Sequence, residues 1–174
     1  IHTIAWTGAR ILVLDGPLAG TVGAGLTRTV LDLWVATDLD SRDGGIGDDP
    51  PTPSEWMAMS SLWRRSGLTP LGPSARTSVV WQHSMCELEG TIAGSASRQT
   101  LRYPVGGFGV TELLCCVAVE PRCRRRGLGR RCVEGVAPAS GPATVILEPG
   151  NPSAELFAKM SFKVDGHAYL YEHR

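Results

Sequence analysis

Apolar positions along the chain switch between two periods, and the switches divide it into elements. Ala9 to Asp15 (A-R-I-L-V-L-D) is a short apolar run closed by Gly16-Pro17, which predicts a first strand. Leu26, Val30, Leu33 and Trp34 then recur at helical spacing and predict a helix over roughly 21–36. Residues 38–53 are rich in Gly, Asp and Pro and read as an exposed loop. Thr52-Pro53-Ser54-Glu55 has the form of a capping box with proline at the first helical position. A second helix follows, with Trp56, Met59 and Trp63 on its buried side and Gly67 as its stop. Beyond a Pro/Gly linker over 68–74 the period shortens. Ser78 to Leu88 and Thr91 to Thr100 read as two strands joined by a Glu89-Gly90 hairpin turn.

Leu113 to Val119 is an apolar run that suits a buried strand, and Pro121 stops it. It is preceded by a glycine-bearing loop, Tyr103 to Gly109. Gly127 and Gly129 bracket a tight turn, after which Leu128, Cys132 and Val136 fall at helical spacing until Pro138 and Gly141 end the pattern. Thr144 to Glu148 is the next strand. Asn151 is a natural N-cap with Pro152 behind it, opening a short helix to about Met160. Phe162 to Val164 and Ala168 to Glu172, joined by Asp165-Gly166, predict a closing hairpin.

The 174 residues suffice for a single domain, 1–174, with a full core. Lys+Arg and Asp+Glu balance at 17 each, so no global field draws the chain to nucleic acid or membrane. Locally the balance breaks. Arg122, Arg124, Arg125, Arg126, Arg130 and Arg131 all fall within ten residues, around the glycine turn. Amides at a helix start lack intrahelical acceptors and carry the positive end of the helix dipole. Glycines let an anion come close, so strand, Arg/Gly turn and helix together form a candidate phosphate cradle. A polynucleotide module is the weaker reading, because stacking aromatics are not interleaved with the arginines. The five cysteines match no zinc spacing, and His2, His83, His167 and His173 show no ligand pattern, so no metal is expected. Reduced core cysteines fit an intracellular compartment, and no apolar stretch is long enough for a bilayer. The chain opens at Ile1, not Met, which fits a removed transit peptide, a larger precursor or a trimmed chain alike. The expected location is accordingly cytoplasm or an organelle matrix.

The turn Val119-x-Pro121-x-Cys123-Arg124-x-x-Gly127-x-Gly129 resembles the acyl-CoA signature of the GNAT (GCN5-related N-acetyltransferase) superfamily, V-x-P followed by R/Q-x-x-G-x-G/A. Cys86 to Ala96 resembles the family's E-x-D/E-G-x-I-V-G-x-A strands. Asn151 to Phe162 resembles its N-x-x-A-x-x-L-Y-x-K-x-G-F, one residue short. The resemblance covers 85–174 by motif and the first 84 residues by element order. It implies a mixed α/β (α+β) fold, a mostly antiparallel central sheet of about seven strands flanked by about four helices. It further implies acetyl-CoA as co-substrate. Amides from Arg125 through Arg126, Gly127, Leu128 and Gly129 to Arg130 would hold the pyrophosphate, with Arg124 beside them. Val117 and Val119 would offer backbone groups to the pantetheine arm, and Asn151 and Phe157 would stand near the coenzyme.

The activity implied is N-acyl transfer, acetyl to a primary amine of a small molecule or peptide by direct attack. Glu148, which ends a strand as in the family's L-E-V, is the first choice of general base, and Glu112 the second. Phe157 falls where the family often has the tyrosine that protonates the leaving thiolate, and phenylalanine has no proton to give. Tyr169 or Tyr171 would substitute, or the thiolate would leave unassisted. The alternative is a GNAT-like subunit without turnover, kept as a structural or acyl-CoA-binding part of a larger assembly.

Overall fold

A computed structural model describes residues 3–6, 10–13, 26–37, 39, 51–68, 81–101, 111–138 and 140–173. They form eight strands: β1 (Thr3–Trp6), β2 (Arg10–Val13), β3 (Leu26–Ala36), β4 (Trp81–Leu88), β5 (Thr91–Leu101), β6 (Thr111–Val119), β7 (Ala143–Leu147) and β8 (Lys163–His173). Three α-helices accompany them: α1 (Pro53–Arg65), α2 (Leu128–Gly135) and α3 (Ala154–Lys159). The architecture is mixed and mostly antiparallel, as expected, and the described residues hold one strand more and one helix fewer than the sequence predicts. The residues cluster into two compact units, Ile1–Val35 with Thr144–Arg174, and Ala36–Ala143.

The Ala36–Ala143 unit carries the candidate cradle. Its strands run β6-β5-β4, with both pairings antiparallel. The β4–β5 hairpin turns on Glu89 and Gly90, both at positive φ (52° and 71°), as a two-residue loop matched to strand twist requires. Helix α1 begins with the predicted capping box: Glu55 N donates to Thr52 Oγ1 (3.3 Å), and Thr52 N donates to Glu55 Oε2 (2.8 Å). It ends in a Schellman motif around Gly67 at φ 82°, where Leu68 N donates to Trp63 O (2.8 Å) and Gly67 N to Arg64 O (3.1 Å). Between these caps Met59, Leu62 and Trp63 are fully buried against Ala118, with Trp56, Met85 and Ile92 around them. Trp63 Nε1 donates to Ser95 Oγ at 2.9 Å, which pins the helix to β5 without leaving the indole unsatisfied.

In the other unit the strand order is β1-β2-β8-β3-β7. Two expectations are corrected here. The predicted helix over 21–36 is strand from Leu26 onward; residues 21–25 lie outside the described set. Leu31 and Leu33 are buried while Val30, the residue before them on the strand, is 38% exposed, an alternation of period two. Leu26, Val30, Leu33 and Trp34 satisfy the helical template as well, but Thr27, Thr29, Val30 and Val35 are β-branched and favour the pleated surface. The predicted closing hairpin is instead one strand, β8. Its register on β3 runs from Leu26↔His173 to Leu33↔Gly166, then resumes at Trp34↔Val164. Asp165 is therefore the extra residue of a β-bulge, and Gly166 does not adopt the positive φ a two-residue turn would need.

The short helix α3 also starts later than predicted, with Ser153 in the N-cap position. Asn151 sits just upstream, its Oδ1 accepting from Ser153 N at 2.8 Å and its carbonyl from Ala154 N at 3.0 Å, so it shapes the turn that leads in.

Candidate functional site

The site is built where β6 runs out into α2. β6 is not a regular strand: Ser95 pairs with Ala118 and Ser97 with Cys115, so β6 carries one residue too many between them. The surplus is taken up at Cys116, whose φ of 54° is rare for a side chain other than glycine. The bulge re-aims the last residues of β6, Val117 to Val119, ahead of the turn. Val119 O accepts weak bonds from Ser66 Oγ (3.4 Å) and Arg124 Nε (3.5 Å), and Glu120 N donates to Ala93 O (2.8 Å).

Pro121–Cys123 then make a single 3-10 turn, closed by Cys123 N donating to Glu120 O at 2.8 Å. Buried Cys123 and Leu128 hold the two ends of the loop against the unit. Between them Arg125 (φ 61°) and Gly127 (φ 77°) both take the left-handed conformation. Gly127 is the N-cap of α2 and, having no side chain, caps nothing. The consequence is chemical. The first amide of this segment with a backbone acceptor is Arg131 N, which donates to Gly127 O at 3.1 Å. Among the described residues, the amides from Arg125 to Arg130 find no protein acceptor.

The arginines around these amides are exposed. Arg130 Nε is tied to the buried carboxylate of Glu134 one turn on, at 2.6 Å. Among the described residues Arg122, Arg125, Arg126 and Arg131 have no carboxylate partner. Arg65 takes Glu120 instead, Nε to Oε2 at 2.9 Å. A cleft of about 260 Å³ opens beside the turn, lined by Glu89, Ile92, Glu120, Arg122 and Arg126 among others. A side chain at Gly127 would meet nothing within 4 Å, so the space over the helix start is open.

Helix α2 can lie this close to the sheet because two glycines let it. A Cβ at Gly94 would stand 3.0 Å from Cys132 Sγ, and one at Gly135 would collide with Ser84, 2.9 Å from its Cβ. Gly94 is the last glycine of the Cys86–Ala96 motif, though the motif does not name the thiol it makes room for; Gly135 belongs to none. No motif announces the bulge at Cys116, since cysteine carries no preference for positive φ.

The expected coenzyme residues Val117, Val119, Arg124, Arg125, Arg126, Gly127, Leu128, Gly129 and Arg130 thus form one continuous segment of the Ala36–Ala143 unit. Glu112 shares that unit, at the head of β6. Its carboxylate pairs with Arg98 (Oε2 to Nε, 3.7 Å), both side chains largely buried, and its amide donates to Pro142 O at 3.1 Å. Glu148, Asn151, Phe157 and Tyr169 belong to the other unit. Glu148 is exposed directly after β7, its carbonyl accepting from Asn151 N at 3.0 Å. Phe157 is 1% exposed, its ring edge-on to Phe162 with centroids 5.2 Å apart. Tyr169 is half-buried on β8, opposite Val13 and Val30. Tyr171 is 1% exposed. The Tyr103–Gly109 loop lies outside the described residues. Among the described residues no cluster of His, Cys, Asp and Glu is placed to hold a metal ion.

At the level of sequence no family model matches the chain, and neither does any curated protein. Solved structures do. A protein of Novosphingobium aromaticivorans, assigned to the GNAT acetyltransferases, superposes with a TM-score of 0.67 at 19% identity, over 95% of this chain and 74% of that one. The fold is that of the GNAT N-acetyltransferases. A GCN5-related N-acetyltransferase of Kribbella flavida agrees, with a TM-score of 0.54 at 12% identity over 86% of this chain and 60% of its own. So does a functionally unknown conserved protein of Staphylococcus epidermidis, with a TM-score of 0.58 at 12% identity. The chain spans 64% of that protein's length, so both of these neighbours are substantially longer than the region matched.

Proposed function

We propose that the chain binds acyl-CoA through the turn ahead of α2 and transfers the acyl group, most simply acetyl, to a primary amine. The observation that carries this reading is the run of amides from Arg125 to Arg130 that find no acceptor among the described residues, with left-handed Arg125 and Gly127 inside it and, beside it, Arg122, Arg126 and Arg131, which have no carboxylate partner among those residues. Such a surface suits the diphosphate of a coenzyme: amides donate, the helix start supplies partial positive charge, and guanidinium groups bind phosphate oxygens in pairs. The fold supports the reading, because two of the solved neighbours are a GNAT-family acetyltransferase and a GCN5-related N-acetyltransferase.

Transfer by direct attack asks the protein to orient two reactants, remove a proton from the amine and stabilise charge on the thioester oxygen. Glu148 is our assignment for the proton acceptor, directly or through water. Its exposed carboxylate has no ion-pair partner among the described residues, whereas Glu112 is engaged by Arg98. The amide of Val119 is the assigned donor to the thioester oxygen. Buried Phe157 can offer the coenzyme only apolar surface. Tyr169, less buried than Tyr171, is assigned the proton for the leaving thiolate. The acceptor is a small-molecule or peptide amine, and the setting intracellular; no helix among the described residues is long and apolar enough to cross a membrane.

The second reading, a GNAT-like subunit that binds acyl-CoA without turnover, is favoured by the phenylalanine at 157. One experiment separates the two. Acetyl-CoA is titrated by calorimetry, and thiol release is then followed with a panel of amines and peptides. Binding with thiol release supports the enzyme, binding alone supports the second reading, and absence of binding contradicts both.

A further inference from the structure

Behind the cradle, α2 and β4 meet through a pair of thiols. Cys132 Sγ lies 3.2 Å from Cys86 Sγ, and both side chains are buried. The sequence separation is large, one cysteine on a strand and the other on the helix that follows the Arg/Gly turn. The meeting depends on Gly94. It pairs directly with Cys86 across the β4–β5 ladder, and its missing side chain leaves the space that Cys132 Sγ fills. We propose that Cys86 and Cys132 are a modification site, a dithiol that a peroxide converts reversibly into a disulfide clamping α2 to β4.

The contact distance has to shorten to about 2 Å for a bond between the sulfurs. The polarity of the pair is set by its hydrogen bond. The Cys132 thiol donates to Cys86 Sγ, so Cys132 keeps its proton and Cys86 is the acceptor of the pair. Burial and that same bond push the Cys132 thiol well above the usual range. Cys86, 8% exposed on β4, is the nucleophile. Its thiolate attacks one oxygen of hydrogen peroxide, the O–O bond breaks, and the departing hydroxide takes up the thiol proton as water, leaving a sulfenic acid on Cys86. The Cys132 sulfur then attacks the Cys86 sulfur. The S–O bond breaks, and hydroxide leaves with the Cys132 proton as a second water. Two thiols and one peroxide give one disulfide and two waters, the sulfur pair losing the two electrons that the peroxide gains.

This inference stands independently of what the turn binds. The test treats the folded, reduced protein with hydrogen peroxide at equimolar dose, then unfolds it, alkylates the free thiols and digests it with trypsin. The expected result is three alkylated cysteines in place of five, a peptide of residues 77–98 linked to one of residues 132–159, recovery of all thiols with a dithiol reductant, and a higher thermal midpoint before reduction. Cys115, Cys116 and Cys123 fall in other tryptic peptides, so a bridge through any of them is read unambiguously. Such a bridge, or five free thiols after treatment, overturns the proposal. Cys86→Ala, the less buried of the two changes, forms no intramolecular bridge under the same dose; a bridge that survives in this variant also overturns it.

Discussion

Two helices of the same unit begin in opposite ways. At α1, Thr52 and Glu55 satisfy each other's backbone through a complete capping box, proline removes a donor that would have been orphaned, and the far end is closed by a Schellman glycine. At α2, the cap is a glycine with no side chain, the preceding residues include a left-handed arginine, and the amides from Arg125 to Arg130 find no acceptor among the described residues. Left open, those donors forgo the roughly 1 kcal/mol that a capping side chain contributes. Under the proposed function, the helix start that forgoes stability and gathers guanidinium groups is the one left to an external anion, whereas the one that satisfies itself serves the fold.

The contrast is broken most severely on the stability side by Trp63→Ala. The indole is fully buried and its Nε1–H bonds Ser95 Oγ, so its loss costs about 3–5 kcal/mol, read by denaturant unfolding. On the ligand side, Gly127→Glu sets a carboxylate over the open amides at a backbone angle that side chains resist. Coenzyme binding falls by about a hundredfold or more, the equivalent of one or two charge-assisted hydrogen bonds, in a calorimetric titration. Thr52→Ala removes the α1 cap at a cost of about 1 kcal/mol, with acetyl-CoA affinity unchanged. Gly127→Asn, the side chain best suited to positive φ after glycine, alters stability by a few tenths of a kcal/mol yet weakens the coenzyme severalfold by competing for the amides.

The smallest effect is in pH. Hydrogen bonds from Thr52 hold the Glu55 carboxyl below its ordinary value of 4.5. A depressed acid contributes stability above its unfolded value and loses it as pH falls through the folded one. The wild type should therefore lose a little stability on acidification below about 4.5, and Thr52→Ala should lose less over that window, as thermal midpoints across pH will read.

What the sequence disclosed follows the same division between local and distant causes. Both ends of α1 were legible, because T-P-S-E and Gly67 act within a few residues of themselves. The α2 turn was legible for the same reason: its prolines, arginines and glycines are neighbours. β3 was misread because Leu26, Val30, Leu33 and Trp34 satisfy two periods at once, and only pairing with β8 selects one. Asp165-Gly166 was misread because a hairpin turn and a bulge use the same residues, and the choice between them lies with the partner strand. The Cys116 bulge, the Arg98–Glu112 pair and the contact of Cys132 with Gly94 were not legible at all, since each depends on residues far apart in the chain, although Gly94 itself stands in the strand motif. Within the candidate site, the Arg/Gly turn could be read, whereas Glu112's engagement and Phe157's burial required coordinates.

The central claim concerns amides, so the most direct measurement observes them. Backbone amide resonances of the labelled protein are followed while coenzyme A is added. The account predicts large, saturable shifts for the amides from Arg125 to Arg130, with those of Thr52 to Glu55 unmoved. Coenzyme that leaves the α2 amides still, whether by binding elsewhere or by not binding, would contradict it.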